Sequence, residues 1–275
     1  MPAKNFRIIG LLLSLLIVSL LACSIAPDVN MPGIAIGSAT PSGENGPQKL
    51  NIWEQAAPGI EIRYEHWKSP GDNEDTVAIT RLDLKKVHLS VGYAPTKPLD
   101  MGTWMKQTGA LAMINGGYFD KNNQPTGLLV SNGQAVGTSY IGFGGMLAVD
   151  SQGNVTLRSL KQQPYDPNTE QLQQATQSSP MLMINGQRTQ FEADSVSQRR
   201  SVIAIDKQGR LLLIASPNQS FTLDELADLL VSSDLSIETA LNLDGGASTG
   251  LYVNGPGQKI SIDAFTPLPI VIIVK

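Results

Sequence analysis

Three short segments of this chain set polar or charged side chains beside small residues at the ends of apolar runs. The first is Ala112-Met-Ile-Asn115-Gly116-Gly117-Tyr118-Phe119-Asp120. Asn115 carries both a donor and an acceptor, as sugar hydroxyls and phosphate oxygens require. Two glycines allow positive φ or close approach of backbone to a ligand. Asp120 is the nearest acid. A plain hairpin turn would use the same Asn-Gly pair. The second is Ala240-Leu-Asn242-Leu-Asp244-Gly245-Gly246-Ala247-Ser248-Thr249. Apolar neighbours put Asp244 at or just past a strand end. Its carboxylate, with glycine amides and two hydroxyls nearby, can hold a proton or an ion pair. A capped Asp-Gly turn would look alike. The third is Gln198-Arg199-Arg200-Ser201, ahead of an apolar strand. An arginine there can grip a phosphate bidentately, although two solvated surface arginines are the commoner arrangement. An acid, a guanidinium and an amide together suit a phosphorylated or polyhydroxylated ligand.

Other chemistries are poorly served. Ser–His–Asp catalysis needs a well-placed histidine, and the chain has two, His66 and His88, both in contexts that read as structural or surface. A single cysteine excludes an intramolecular disulfide and a cysteine-based zinc site. No Gly-Lys-Ser/Thr phosphate loop is present, and Gly142-Phe-Gly-Gly145 has only the composition of a loop. Asp72, Glu74 and Asp75 read as a solvated acidic turn more readily than as a weak calcium site. No metal and no cofactor are expected. A pI near 5.2 and a net charge of −4 give no electrostatic case for nucleic acid.

The elements that must position these residues are mostly strands. Charged residues make up 16% of the chain, against about 25% in an average soluble domain, and 26 glycines suggest many turns. Strand patterns fall at 76–84, 87–93, 128–130, 146–149, 155–157, 181–184, 202–205, 211–214, 251–253 and 269–274, several of them joined by Asn-Gly or similar turns. Helix signals are fewer. Thr222 to Ser232 is the best, with Leu223, Leu226, Ala227 and Leu230 at helical spacing and Thr222 with Glu225 as a capping box. Leu99 to Lys106 and Thr169 to Gln177 are weaker helical patterns. The repeated Met-Ile-Asn-Gly at 113–116 and 183–186 reads as two hairpin turns. These features predict a single-domain, β-rich α+β fold with mixed or antiparallel sheets and a few helices.

The N-terminus has a different character. Lys4 and Arg7 precede an uncharged, leucine-rich run that ends in Leu20-Leu21-Ala22-Cys23. This is the layout of an export signal over 1–22, and the ending resembles a bacterial lipobox with Cys23 as the lipidated residue. Residues 23–50 are rich in proline and glycine and poor in aromatics, as in a flexible tether. The folded domain is expected over 51–275.

Asn115-Gly-Gly-Tyr-Phe-Asp, then Arg200-Ser, then Asn242-Leu-Asp-Gly-Gly-Ala-Ser-Thr, in this order, resemble the phosphodiester glycosidase family. The resemblance runs from about Asp75 through Lys275. It takes in the alternating Val87-Leu89-Val91 strand, Pro125 to Leu128, Ser179-Pro-Met-Leu182 and the closing apolar strand. Ala247 stands where a third glycine is common, and Arg200 is followed by Ser rather than Thr. The resemblance implies Asn115, Arg200 and Asp244 as catalytic residues. It implies Gly116, Gly117, Tyr118, Asp120, Asn242, Gly245, Gly246, Ser248 and Thr249 as substrate-binding ones. The implied activity is an extracytoplasmic hydrolase that cleaves the glycosyl–phosphate bond of a sugar-1-phosphodiester. Arg200 would neutralise the phosphate, and Asp244 would act as nucleophile, base or stabiliser of an oxocarbenium-like state. Two other readings share these residues: a non-catalytic surface module that binds or adheres to glycans, and a phosphodiesterase cutting the P–O bond on the other side. The partners expected are a sugar-phosphate diester or a cell-surface glycan, and the membrane through a lipid anchor. The oligomeric state is not legible.

Overall fold

The computed structural model describes residues 49–193 and 195–275. The expected export signal over 1–22, Cys23 and nearly all of the expected tether over 23–50 lie outside the described residues. The chain begins with strands β1 (Glu54–Ala57), β2 (Ile60–Lys68), β3 (Glu74–Leu82) and β4 (Leu89–Tyr93), then helix α1 (Met101–Thr108) and β5 (Ala112–Asn115). Next come β6 (Leu129–Ser131), β7 (Gln134–Val136), β8 (Gly145–Asp150), β9 (Val155–Ser159), β10 (Leu172–Ser178), β11 (Met181–Ile184) and β12 (Gln187–Arg188). Two long strands, β13 (Gln198–Asp206) and β14 (Leu211–Phe221), lead into helix α2 (Leu223–Ser232) and β15 (Ile237–Asn242). The chain closes with β16 (Leu251–Asn254), β17 (Lys259–Ile262) and β18 (Ile270–Val274).

These strands form three sheets whose paired strands run antiparallel. The largest has the order β1-β2-β3-β14-β13-β15-β11-β12. A second runs β7-β6-β10-β8-β9, and a third runs β17-β16-β5-β18-β4. The fold is thus β-rich α+β, as the strand and turn pattern predicts. Alternation along the central strands explains the packing. Ile203 and Leu213 face a core shared with Ile114, Leu147 and Ile272 from the other two sheets. Their neighbours Val202, Ala204, Leu212 and Ile214 face the other way, onto Leu226, Ala227 and Leu230 of α2. Burial on both faces is why β13 and β14 read as continuous apolar runs. On the third sheet, Met113, Val271 and Ile273 meet Met101, Trp104 and Met105 of α1. The α2 capping box forms as its sequence predicts, with the Thr222 hydroxyl accepting from the Glu225 N–H and the Glu225 carboxylate accepting from the Thr222 N–H.

Three sequence expectations are corrected. Residues 169–177 do not form a helix; most of them belong to β10. Gln174 and Gln177 are buried there and satisfy backbone groups of other strands and loops. The Gln174 side-chain oxygen accepts from the Val91 N–H (2.9 Å), and that of Gln177 accepts from the N–H groups of Leu128 (3.1 Å) and Tyr140 (2.9 Å). The burial of these residues follows from tertiary hydrogen bonding, not from a helical face. Only one of the two Met-Ile-Asn-Gly segments is a hairpin turn: Asn185 and Gly186 turn β11 into β12 at φ 52° and 70°. The other ends β5 in the middle of a sheet. Asp75, expected in a solvated acidic turn, is buried in β3 and accepts from the Asn218 N–H (3.0 Å), the Asn218 side-chain amide (2.7 Å) and the Ser216 hydroxyl.

Gly117 shows how tightly the sheets meet near the proposed motifs. A Cβ on it would lie 2.0 Å from the Gln177 carbonyl oxygen on β10. Gly117→Ala is therefore expected to destabilise the protein by about 1–3 kcal/mol through forced overpacking. Gly102→Ala, on the exposed face of α1 with its nearest neighbour at 3.4 Å, should stabilise it by about 0.5–1 kcal/mol. Chemical denaturation of the two variants checks this pair.

Candidate active site

The Asn115 side chain is buried at the C-terminal end of β5 and makes every hydrogen bond an amide of its kind can readily make. Its Nδ2 donates to the Asp244 carbonyl (2.6 Å) and to the Gly116 carbonyl (3.3 Å). Its Oδ1 accepts from the Ser201 hydroxyl (2.7 Å) and the Gly250 N–H (3.2 Å). The Asp244 N–H in turn donates to the Gly116 carbonyl (3.2 Å). The backbone of Asp244 is therefore held on both sides by the Asn115-Gly116 pair. Asn115 is a positioning residue: its amide is committed to protein partners rather than open to a ligand. Ser201, which sequence reasoning did not assign, completes this clamp. Its only signal is its place next to Arg200, which alternation on β13 turns to the opposite face.

The segment after β15 presents Asp244 at the end of a central strand. A single 3₁₀ turn over Gly246–Ser248 closes the segment, with the Ser248 N–H donating to the Gly245 carbonyl (3.1 Å). Gly246 sits at φ +59°, a conformation L side chains rarely adopt. Gly245 lies over β13, where an added Cβ would come within 2.9 Å of the Arg199 carbonyl. Burial pushes the Asp244 carboxyl up to about 6, while hydrogen bonds from Ser248 and the Gly245 N–H pull in the opposite direction. Its carboxylate is thus ionised near neutrality but held at a cost.

Tyr118 and Asn242 form the neighbouring wall. The Tyr118 hydroxyl donates to the Ser179 carbonyl (3.1 Å) and accepts from the Asn242 side-chain amide (2.8 Å). Asn242 also donates to the Ser179 carbonyl (2.9 Å). Burial and the nearby Asp244 charge raise the Tyr118 phenol to about 12, with Arg200 opposing them. Tyr118 therefore stays protonated across the working pH range, within electrostatic reach of both Asp244 and Arg200.

The two arginines are buried, not solvated. Arg200 lies on β13, its Nε donating to the Phe221 carbonyl (3.0 Å) and its Nη2 to the Val196 carbonyl (2.7 Å). Arg199 projects to the other side of the strand. Its Nε donates to the Pro217 carbonyl (2.7 Å) and its Nη2 to the Asp263 carbonyl (2.8 Å), and Phe265 covers the guanidinium at 3.9 Å. Arg199 thereby props the 263–265 segment, where the Phe265 N–H donates to the Ala247 carbonyl (2.7 Å).

The fold thus brings together Asn115, Gly116, Tyr118, Asn242, Asp244, Gly245, Gly246, Ser248 and Arg200. Gly117 packs on β10 beside them, and Thr249 is buried under the turn. Asp120 stands apart: it is exposed, and its carboxylate caps its own turn by accepting from the N–H groups of Asn122 (2.8 Å) and Gln124 (2.9 Å). Tyr140, which sequence reasoning missed, adds to the charge environment of Tyr118 and has no motif to mark it.

The profile of the phosphodiester glycosidase family matches residues 108–275. The chain belongs to the phosphodiester glycosidase family. That match includes every residue of the site just described. An uncharacterised protein of Escherichia coli K12, YigE, is 30% identical over 155 residues, 52% of this chain and 58% of that protein. The chain thus spans less than two thirds of that relative's length. Among solved structures, the fold resembles the catalytic domain of zebrafish N-acetylglucosamine-1-phosphodiester α-N-acetylglucosaminidase, in a form auto-inhibited by its pro-peptide. That likeness has a TM-score of 0.60 at 21% identity, covering 80% of this chain and 86% of that one. A hypothetical protein from Synechocystis gives a TM-score of 0.57 at 18% identity, over 79% of this chain and 62% of that one. Within the family, the Asn-Gly-Gly and Asp-Gly-Gly segments here are one unit, joined through the Asn115 amide.

Two outcomes follow from this geometry. Asn115→Ala would leave the Asp244 carbonyl, the Ser201 hydroxyl and the Gly250 N–H unpaired in the interior. It is expected to cost at least about 2 kcal/mol in a denaturant titration. Asp244 should behave oppositely. Its pKa is raised on folding, so between the ordinary carboxylate value of 3.8 and about 6 the folded chain binds the extra proton. Stability from this group is present below that window and lost as pH rises through it. Asp244→Asn should therefore raise the thermal midpoint at pH 8 by a few degrees and change it little at pH 4.

Proposed function

We propose that this protein hydrolyses the glycosyl–phosphate bond of a sugar-1-phosphodiester outside the cytoplasm, tethered to a membrane by lipid on Cys23. The observation that carries the reading is Asp244: a carboxylate lifted to about 6 by burial, clamped through its backbone to Asn115-Gly116, with a buried arginine and an un-ionised phenol in electrostatic reach. Membership of the family and the likeness to the zebrafish glycosidase support the reaction class. The export signal and lipobox-like ending support the location.

In this reading the bond between the anomeric carbon and the phosphate oxygen breaks, and a water oxygen ends on the sugar. The leaving group is a phosphate monoester, stable as an anion, so it needs little protonation on departure. Arg200 donates through Nε to the Phe221 carbonyl and through Nη2 to the Val196 carbonyl, which help hold the guanidinium in place. In this reading its positive charge stabilises the phosphate as it departs. Asp244 faces the positive charge that develops on the sugar ring, as nucleophile, as base for the water or as electrostatic stabiliser. Each role uses the ionised form. Tyr118 and the Gly245 and Gly246 backbone shape the pocket around the sugar. Asn242 supports the sugar through Tyr118, because its own side chain is buried.

The test is hydrolysis of N-acetylglucosamine-1-phosphate diesters in ¹⁸O-water. Label in the sugar supports the glycosidase; label in the phosphate would reassign the protein as a phosphodiesterase. Saturable binding with no release of sugar would make it a glycan-binding module. For the glycosidase, kcat/KM should rise with pH through an apparent pKa near 6. Asp244→Asn should lower kcat by at least about 100-fold, and wild-type activity in that variant would overturn the assignment.

A further inference from the structure

A cleft of about 860 Å³ lies outside the site described above: neither Asp244 nor Arg200 lines it. Its volume falls in the upper part of the range of about 300–1,000 Å³ usual for small-molecule sites, more than one sugar ring fills. Two aromatic rings stand in its walls, Phe143 and Phe191, together with Pro180, Met181, Ile184 and Leu223. Polar side chains share the same walls: Ser159, Lys161, Gln162, Gln190 and Glu192.

Those polar groups are unspent. Among the described residues, the side chains of Lys161, Gln162, Gln190 and Glu192 have no hydrogen bond or ion pair. Ser159 is only 7% exposed, yet its hydroxyl also has no partner among them. Withdrawing a hydroxyl from water without a partner costs free energy, so one left open in a cleft wall points to a ligand that supplies the partner. The aromatic rings, by contrast, are held in place. Phe143 is 53% exposed and stacks on Tyr140 at 4.6 Å and 25°. Tyr140 is fixed in turn, its N–H donating to the Gln177 side chain (2.9 Å) and its hydroxyl paired with that of Thr126 (2.6 Å). A Cβ on the next residue, Gly144, would lie 2.6 Å from the Ser178 carbonyl oxygen, so this loop packs closely against the end of β10. On Phe191, the Arg188 guanidinium lies 5.2 Å from the ring centroid. Rings kept in place yet open to solvent lose little entropy on binding.

We propose that this cleft binds a neutral oligosaccharide. A pyranose ring has an apolar C–H face and a rim of hydroxyls, each both donor and acceptor. The two phenyl rings suit the faces. The two glutamine amides each offer a donor and an acceptor, as neighbouring hydroxyls on one ring require, and Ser159 adds a further hydroxyl. Lys161 and Glu192 cancel in net charge, so the walls hold no electrostatic preference for a phosphate or an acidic ligand. A peptide bound by strand addition needs a run of open sheet edge. The edge strand that leads into Thr189 and Gln190 is β12, and it is only two residues long. The inference is independent of the reaction assigned to Asp244.

The test is a binding measurement on the full-length chain and needs no turnover. Cellotriose, maltotriose, mannotriose and N-acetylated chitotriose, each beside its monosaccharide, are titrated calorimetrically, with trialanine as the peptide comparator. At least one trisaccharide should bind, and about tenfold or more tighter than its monosaccharide. Phe143→Ala and Gln190→Ala, both at exposed positions, should each weaken that trisaccharide by about three- to tenfold. Added salt should leave its affinity unchanged, as for an uncharged ligand. Asp244→Asn should leave it unchanged as well, which separates this cleft from the proposed catalytic site. Four results would each overturn the inference: no trisaccharide binds, trialanine binds as tightly, both cleft variants leave the affinity untouched, or Asp244→Asn abolishes it. Sugar release in ¹⁸O-water judges the reaction separately. A chain that releases sugar but binds no trisaccharide keeps the reaction and loses the cleft.

Discussion

The Asn115 side-chain amide is the constraint on which the rest of the site depends. It sits at the end of β5, the central strand of one five-stranded sheet, where that sheet meets the eight-stranded sheet carrying β13 and β15. Through four hydrogen bonds it ties Ser201 on β13, the Asp244 and Gly116 carbonyls, and the Gly250 N–H into one unit. Burial makes these bonds matter, since each partner left unpaired in the interior would forfeit its hydration with nothing in return. An aliphatic residue there could fill the space, but it would not fix the turn that carries the acid. A longer amide would displace the strand end.

The second organising feature is how the protein keeps charge in an apolar setting. Arg199 and Arg200 each donate to backbone carbonyls, and the Asp244 carboxylate accepts from the Gly245 N–H and the Ser248 hydroxyl. Burial leaves Asp244 with a raised pKa in a place water reaches poorly. The proposed substrate would bring a phosphate to the arginine and develop positive charge near the carboxylate. The neighbouring phenol reinforces this setting, since Tyr118 remains a neutral hydrogen-bond donor while lying close to both charges.

Much of this was legible in the sequence. Alternating apolar residues with turn signals between them mark most strands, because side-chain direction along a strand has a period of two. The capping box before α2 is local chemistry and forms as read. The segment 169–177 failed for the converse reason. Its glutamines are buried because strands and loops far away in sequence need acceptors for their N–H groups, and no local pattern carries that. Asp75 is a similar case, for its partners Ser216 and Asn218 lie more than a hundred residues away. The two Met-Ile-Asn-Gly segments make the point most directly. With the same four residues, one is a turn at φ 52° and 70°, and the other ends a central strand, where its asparagine is drawn into the interior.

The sequence by itself determined the family, the β-rich class and the residue types from which the site is built, because spacing, glycine pairs and local polar clusters are written in neighbouring positions. Tertiary structure alone decided what each residue does. It made Asn115 a clamp rather than a ligand-binding group, removed Asp120 to its own turn and buried both arginines. It also recruited Ser201 and the Ser179 carbonyl. The reason is physical: a side chain's role is set by which partners satisfy its hydrogen bonds and how far water is excluded from it. Those conditions arise only when strands separated by a hundred residues pack against one another.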